Sequence, residues 1–328
     1  MPNARIFRRR RRRLARRRGY VLVMVLALLV LSATLMVAVG RAAMRTAIAA
    51  RSAEDDLQRR WAVASCRKAV LPYAEQILSA LEQERRQPAP RFETSLHLGR
   101  QTLALVIADE QAKANVNALL DGTDQARADS RLRQGLAGSG LLNRLRLRPT
   151  YGPVIRSIQT PTTGPATRPL LSTNALHVGS FGQIFDDLPP AQLLRPMPGS
   201  RIAAADLLTC WGNGAVNVRR ATEAALTLAA GRSLTGVEIS RLIDARNKLF
   251  ERKGNESSFD TPAADNLQDA MNKAMSQSIR NRGNLGLAER STCHSLWIVT
   301  RTGRRDEYDL FVLDQANVNR PQVWAFSW

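Results

Sequence analysis

The most regular feature of the chain is a gap in its polarity. From Tyr20 to Gly40 it reads YVLVMVLALLVLSATLMVAVG, with no charged side chain. At about 1.5 Å per residue, a helix of that length spans roughly 30 Å, the hydrocarbon thickness of a bilayer. Being apolar on every side, it does not fit the surface helix of a soluble domain, which keeps one polar face. From Arg41 to Gln87 the chain stays rich in Ala, Leu, Glu, Gln and Arg, and an apolar stripe emerges. Leu57, Trp61 and Ala64 fall at i, i+4 and i+7, and Ala74, Ile77, Leu78 and Leu81 resume the stripe beyond Pro72. Pro72 is expected to kink this helix or begin a new one. Gln87-Pro-Ala-Pro90 reads as a loop.

The period then changes. Phe92 to Leu98 alternates, and Thr102 to Ala108 is a short β-leaning apolar run. The stretch from 121 to 200 is mixed, with helical character near Arg127 to Leu147 and a loop rich in Pro, Thr and Gly from Pro149 to Pro169. Ala221 to Ala230 and Val237 to Phe250 read as two helices joined at Gly231 to Gly236, and Asp265 to Arg280 as another. Strands return at Ser295 to Arg301 and Tyr308 to Leu313, separated by Thr302 to Arg305, and at Gln322 to Trp328. Strands thus flank a helical middle. The expected class is α+β, a sheet domain carrying a large helical insertion over residues 118–288 that is separable from it.

Charge orients the apolar helix. Of the net charge of +20, half lies in ten arginines within the first eighteen residues, and the first acidic residue is Glu54. The positive-inside tendency places that basic leader in the cytoplasm and the rest of the chain beyond the membrane. A cleaved secretory signal is the competing reading, with Gly40, Ala42 and Ala43 as small residues for cleavage. Its apolar core is usually about 7–15 residues, shorter than this one. The remaining positive charge is ordinary and does not demand a nucleic-acid partner.

Candidate chemistry is sparse. Cys66, Cys210 and Cys293 form no C-x-x-C pair and read as buried thiols, with one disulfide plus an odd thiol as the alternative. His97, His177 and His294 form no paired-His metal motif, and no G-x-S-x-G elbow occurs, so an enzyme is not expected. Cys293 and His294 are adjacent in a strand pattern and would point to opposite faces. Ala221 to Lys248 resembles a helix-hairpin-helix, with Arg219, Arg220, Arg232, Arg241 and Arg246 as possible phosphate contacts. The simpler reading is a structural helical module with a solvated basic face.

Three stretches carry a resemblance. Arg18-Gly19-Tyr20, a basic leader ending in Gly against the apolar helix, resembles a prepilin peptidase site. Ile107-Ala-Asp-Glu-Gln-Ala-Lys-Ala-Asn-Val-Asn117 resembles a D-E-x-G-x-x-N-x-N motif after a strand. Leu207-Leu-Thr-Cys-Trp-Gly-Asn-Gly-Ala-Val-Asn-Val218 resembles T-V-x-G-x-G-x-I-N-V-N-T-A. With a final strand ending in Ser327-Trp328, these are similar, in this order, to the protein K family of type II secretion minor pseudopilins. The resemblance implies a pilin-like long N-terminal helix packed on an antiparallel sheet, with an all-helical (SAM/helix-hairpin-helix-like) insertion. It implies cleavage between Gly19 and Tyr20, N-methylation of Tyr20, and a bacterial inner-membrane protein with a periplasmic domain. The expected partners are prepilin peptidase, the other minor pseudopilins and the major pseudopilin, at the tip of the pseudopilus. Major pilins carry Glu five residues into the mature chain; Met24 stands there, as protein K subunits also lack that Glu.

The expected divisions are a leader over 1–19, a membrane helix over 20–40, an amphipathic helix and first strands over 41–117, the insertion over 118–288, and closing strands over 289–328. Departures from the family pattern are Tyr20 for Phe, Ala112 for Gly, Arg219 and Arg220 for Asn/Thr-type residues, and no Trp- and acid-rich stretch between 121 and 170. Family members can bind calcium, for which Asp306, Glu307, Asp309 and Asp314 are candidate ligands without a D-x-D-x-D-G loop; no cofactor is assigned. The alternative from another class is a type IV pilus or competence minor pilin, or a membrane-anchored DNA receptor.

Overall fold

A computed structural model of the chain describes residues 4–99, 101–121, 125–137, 140–156, 171–196, 202–251, 262–280, 285–302, 305–316 and 321–328. Two compact units divide it, Met1–Trp61 and Ala62–Trp328. Helix α1 is unbroken from Ala4 to Val70. Its stretch from Tyr20 to Gly40 is exposed throughout, and it is long and apolar enough to cross a membrane. Pro72 ends it, as expected. Proline has no N–H for the helical ladder, so the chain makes a 3-10 turn over Leu71–Tyr73 and restarts as α2, Ala74–Arg85.

Two strands follow, β1 Arg91–Leu98 and β2 Gln101–Asp109. A short β3 (Ala114–Asn115) leads into α3 (Val116–Leu120) and α4 (Gln125–Gly135). Next come β4 (Thr150–Arg156) and β5 (Leu171–His177), then α5 (Pro190–Leu194), α6 (Ala204–Leu207), β6 (Leu208–Thr209) and β7 (Ala215–Asn217). Helices α7 (Glu223–Ala230), α8 (Gly236–Glu251) and α9 (Pro262–Arg280) follow, then β8 (Gly286–Ala288). Thr235 and Glu238 form the capping box that starts α8, the Thr235 N–H donating to the Glu238 carboxylate at 2.6 Å. The chain closes with β9 (Cys293–Thr302), β10 (Arg305–Asp314) and β11 (Gln322–Ser327).

Five strands make one antiparallel sheet in the order β1-β2-β9-β10-β11. Side chains alternate between its faces, so one residue of register decides which layer each strand serves. Ile107, Leu296 and Phe311 lie in one row and face the helices, packing with Ala62, Val63, Cys66, Leu71, Ala74 and Leu78. Val106, Trp297 and Leu310 form the next row and face the opposite way, into a core with Leu132, Leu145, Phe181, Ile184, Leu208 and Trp211. The sheet is therefore a middle layer. The α+β class holds, with a long N-terminal helix and an antiparallel sheet.

Two expectations about the insertion need correction. It is not all-helical, because β3 pairs with β6, β4 with β5, and β7 with β8. The start of the expected 149–169 loop is strand β4, hidden in the sequence by Gly152 and Pro153. Proline is tolerated there because β4 has a partner on one side only, opposite Asn174 of β5. Residues 157–170 lie outside the described residues. Nor does the insertion stand apart, since the sheet's Val106, Trp297, Leu310 and Val312 belong to the same core as residues from α3 to α7. Helices α7, α8 and α9 build a further cluster around Leu226, Ile239, Leu242, Leu267 and Met271.

Candidate functional site: an ion network joining two motif segments

The first motif segment begins where β2 ends. Asp109 Oδ1 accepts from the N–H groups of Gln111 (2.9 Å) and Ala112 (3.1 Å) and so caps the 3-10 turn Glu110–Ala112. Asn115 Oδ1 caps α3 in the same way, accepting from Asn117 N–H at 2.8 Å and Ala118 N–H at 3.2 Å. Each residue spends its remaining polar atom on the second segment. Asn115 Nδ2 donates to the Trp211 carbonyl at 2.7 Å and Asn117 Nδ2 to that of Cys210 at 2.7 Å. Gln111 Nε2 donates to Asn213 Oδ1 at 2.6 Å, and Thr209 Oγ1 to Glu110 Oε2 at 2.5 Å. Asn217 Nδ2 reaches back to Asp109 Oδ2 at 2.8 Å. Short parallel pairing of β3 with β6 holds the two together.

The glycines of Trp211-Gly-Asn-Gly214 answer to this close approach. Gly212 and Gly214 both have φ of +83°, and a Cβ on Gly214 would lie 3.1 Å from that of Ala118. Ala112, where the family pattern has glycine, keeps a negative φ and is buried without backbone strain.

Arg220 sits at the end of the second segment with 1% of its surface exposed. Its Nε donates to Glu82 Oε1 at 2.8 Å, and its Nη1 to Glu75 Oε2 at 2.5 Å and Asp109 Oδ2 at 3.3 Å. Its Nη2 donates to Ser79 Oγ at 2.9 Å, Glu75 Oε1 at 3.1 Å and Glu82 Oε2 at 3.3 Å. Glu75, Ser79 and Glu82 fall on one face of α2, at i, i+4 and i+7, so the helix presents them together. His294 Nε2 meets Glu75 Oε2 at 2.9 Å, and Arg219 pairs with Glu82 at 3.1 Å. Lys113 pairs with Glu110 in the adjoining buried pocket of polarity. Burial pushes the Glu75 carboxyl up, but the hydrogen bonds from His294 and Arg220 outweigh it and hold the pKa down at about 2. Burial likewise works to lower the Arg220 pKa, and its bonds to Glu82 and Glu75 raise it above the usual guanidinium value.

Glu75, Asp109 and His294 converge closely enough to hold a metal ion. Here the cation at their centre is the Arg220 guanidinium, whose Nη1 already bridges Glu75 and Asp109. Such an arrangement fixes helix, sheet and insertion to one another; it offers no free coordination sphere. The four candidate calcium carboxylates do not come together either. They are strung along β10, Asp306 to Asp314, over about 26 Å. Asp306 pairs with Arg301 at 3.0 Å, Asp309 accepts from Ser327 Oγ at 2.5 Å, and Asp314 accepts from the Ala316 N–H at 2.9 Å.

Other sequence candidates are dispersed. All three cysteines are free and buried, which removes the disulfide alternative, and burial pushes their thiols up. Cys293 and His294 point to opposite faces of β9, one into the core behind the sheet and the other to α2. His97 lies exposed beside Thr102 Oγ1 at 3.0 Å, and His177 ends β5. Of the five arginines considered as phosphate contacts, Arg220 is consumed by the network and Arg246 is buried, donating to the Ala221 carbonyl at 2.6 Å. Arg219 is held by Glu82 and only Arg232 and Arg241 are exposed. Gly19, Tyr20 and Met24 all lie in α1, Tyr20 and Met24 one turn apart and 70% and 56% exposed.

Arg220 is not legible in the sequence as the centre of the site, although Arg219-Arg220 breaks the motif there. No family model and no curated protein matches the chain. Among solved structures, it is similar to a chain of "The Crystal Structure of the GspK-GspI-GspJ complex from enterotoxigenic Escherichia coli Type 2 Secretion System". That alignment covers 85% of this chain and 98% of the other, with 16% sequence identity and a TM-score of 0.38, too distant a likeness to assign a family.

Proposed function

We propose that this chain is a minor pseudopilin of type II secretion, a structural assembly subunit at the tip of the pseudopilus. In this reading it is made as a precursor and cut between Gly19 and Tyr20, and the new amine of Tyr20 is methylated. Tyr20 to Gly40 holds it in the inner membrane, and the rest lies in the periplasm, assembled with the other minor pseudopilins and the major pseudopilin. One observation carries the reading: a single helix, Ala4–Val70, is uncharged and exposed over Tyr20 to Gly40 yet packs its last turns on an antiparallel sheet. An anchor and a core element are the same piece of backbone, which suits a subunit pulled from the membrane into a filament. Met24 supports placement at an end, because an uncharged residue there cannot pair with a neighbour's N-terminal ammonium.

The buried state of Arg220 and Arg246 counts against a helix-hairpin-helix DNA receptor, which needs such cations at the surface. The test is co-purification: full-length chain, extracted in mild detergent from cells expressing the pseudopilins of the same source, should retain the minor ones. Recovery of the chain alone, or DNA binding that weakens steeply with salt, would count against the proposal.

A further inference from the structure

Just beyond the apolar segment, two arginines stand where a soluble helix would supply them with carboxylates. Arg41 and Arg45 are exposed on α1 and one turn apart, so their side chains leave the helix about 40° from each other and about 6 Å apart along the axis. The first acidic residue after Gly40 is Glu54, about 13 Å further along the helix from Arg45. Among the described residues neither arginine has an ion pair. Further down the same helix the pattern reverses, with Arg60 paired to Asp56 at 2.8 Å and Arg59 to the same carboxylate at 3.7 Å. Arginines on this flank also work against the charge asymmetry that orients the helix, so topology does not account for them.

We infer that Arg41 and Arg45 bind the phosphate of anionic phospholipid headgroups in the leaflet opposite the basic leader. The inference rests on reading Tyr20 to Gly40 as membrane-spanning. Each headgroup layer is about 5–7 Å deep, so a helix leaving the hydrocarbon at Gly40 carries Arg41 and Arg45 through that layer. A guanidinium offers paired N–H donors that match two phosphate oxygens. An anionic lipid leaves this pairing uncontested, whereas the ammonium of a zwitterionic headgroup competes with it. Arg51, about 16 Å beyond Gly40, lies past the layer and at more than a Debye length, and does not belong to the site.

The test uses the full chain in phosphatidylcholine vesicles containing trace spin-labelled phosphatidylglycerol or phosphatidylcholine. Electron paramagnetic resonance reads the fraction of each lipid immobilised at the protein. Each juxtamembrane arginine favours anionic lipid by about fivefold at its own site. Averaged over the lipid shell, Arg41→Gln/Arg45→Gln should lower the preference for phosphatidylglycerol at least about twofold, and Arg41→Lys/Arg45→Lys should keep most of it. Arg51→Gln should match the wild type. The leader arginines are common to all variants and contribute equally to each, so only the difference between variants reports on Arg41 and Arg45. Unchanged preference in the double glutamine variant overturns the site, as does an equal loss from Arg51→Gln, which would indicate diffuse charge. If no immobilised lipid appears with any protein, the membrane anchor is refuted and this site with it.

Discussion

Replacing Arg220 by methionine isolates the contribution of the buried network. Methionine keeps the unbranched apolar stem and removes the guanidinium, leaving Glu82 and Asp109, both fully buried, without their shared cation. Breaking a buried ion pair from one side costs about 3–5 kcal/mol, because the remaining charge has neither water nor partner. Residual donors set the value toward the lower end: Arg219 still reaches Glu82, Asn217 still reaches Asp109, and His294 still reaches Glu75. For a domain of this size, each kcal/mol moves the midpoint by about 2–4 °C, so the expected drop is about 6–12 °C. Tryptophan fluorescence of detergent-solubilised chain is the suitable probe, since far-UV signals would be dominated by α1. Trp297 stacks on Trp328 at 5.7 Å and reports on the sheet's insertion side. Adding Glu82→Gln should recover part of the loss by removing one stranded charge. Arg220→Lys should not, because one ammonium cannot span three carboxylates. A midpoint for Arg220→Met within about 2 °C of the wild type would refute the claim that this network fastens the fold.

Further consequences can be measured on the same material. Glu75 is held at a pKa of about 2 against its ordinary 4.5, so its contribution is complete above about pH 4.5 and is lost as pH falls toward 2. With its side chain 37% exposed and therefore partly screened, that contribution is about 1–2 kcal/mol, and Glu75→Gln should flatten the acid limb of stability. Gly214→Ala should destabilise by more than about 1 kcal/mol through its positive φ, as read by urea unfolding, and a neutral result would contradict the described turn. Replacing residues 118–288 by a short Gly/Ser linker should abolish cooperative unfolding, because Val106, Trp297, Leu310 and Val312 would each lose about 1.5–3 kcal/mol of burial. Met24→Glu should let overproduced chain enter the filament shaft, visible by immunogold labelling of sheared pseudopili, while the wild type labels one end.

What could be read from the sequence was local. Short apolar runs at Thr102 to Ala108 and Tyr308 to Leu313 mark strands largely buried on both faces, and Pro72 marks a helix junction, because each signal lies within a few residues of its cause. Both motif segments were visible for the same reason: their Asn and Gly residues cap and turn the adjacent backbone. What those segments do for each other was not visible. Arg220 is buried by Glu75, Glu82 and Asp109, all more than a hundred positions away, and no spacing rule links them. In isolation, Arg219-Arg220 reads as surface charge. Strand β4 was lost for the opposite reason, a local signal too strong: Gly152-Pro153 reads as a turn until β5 supplies a partner.

Whether Tyr20 begins a membrane-anchored pilin-type helix after removal of a basic leader can be measured directly. Intact-mass and N-terminal peptide mass spectrometry of chain extracted from membranes of cells containing prepilin peptidase should find N-methylated Tyr20 at the terminus. A terminus at Ala42, Ala43 or Met44 would identify the apolar segment as a removed secretory signal and refute the anchor.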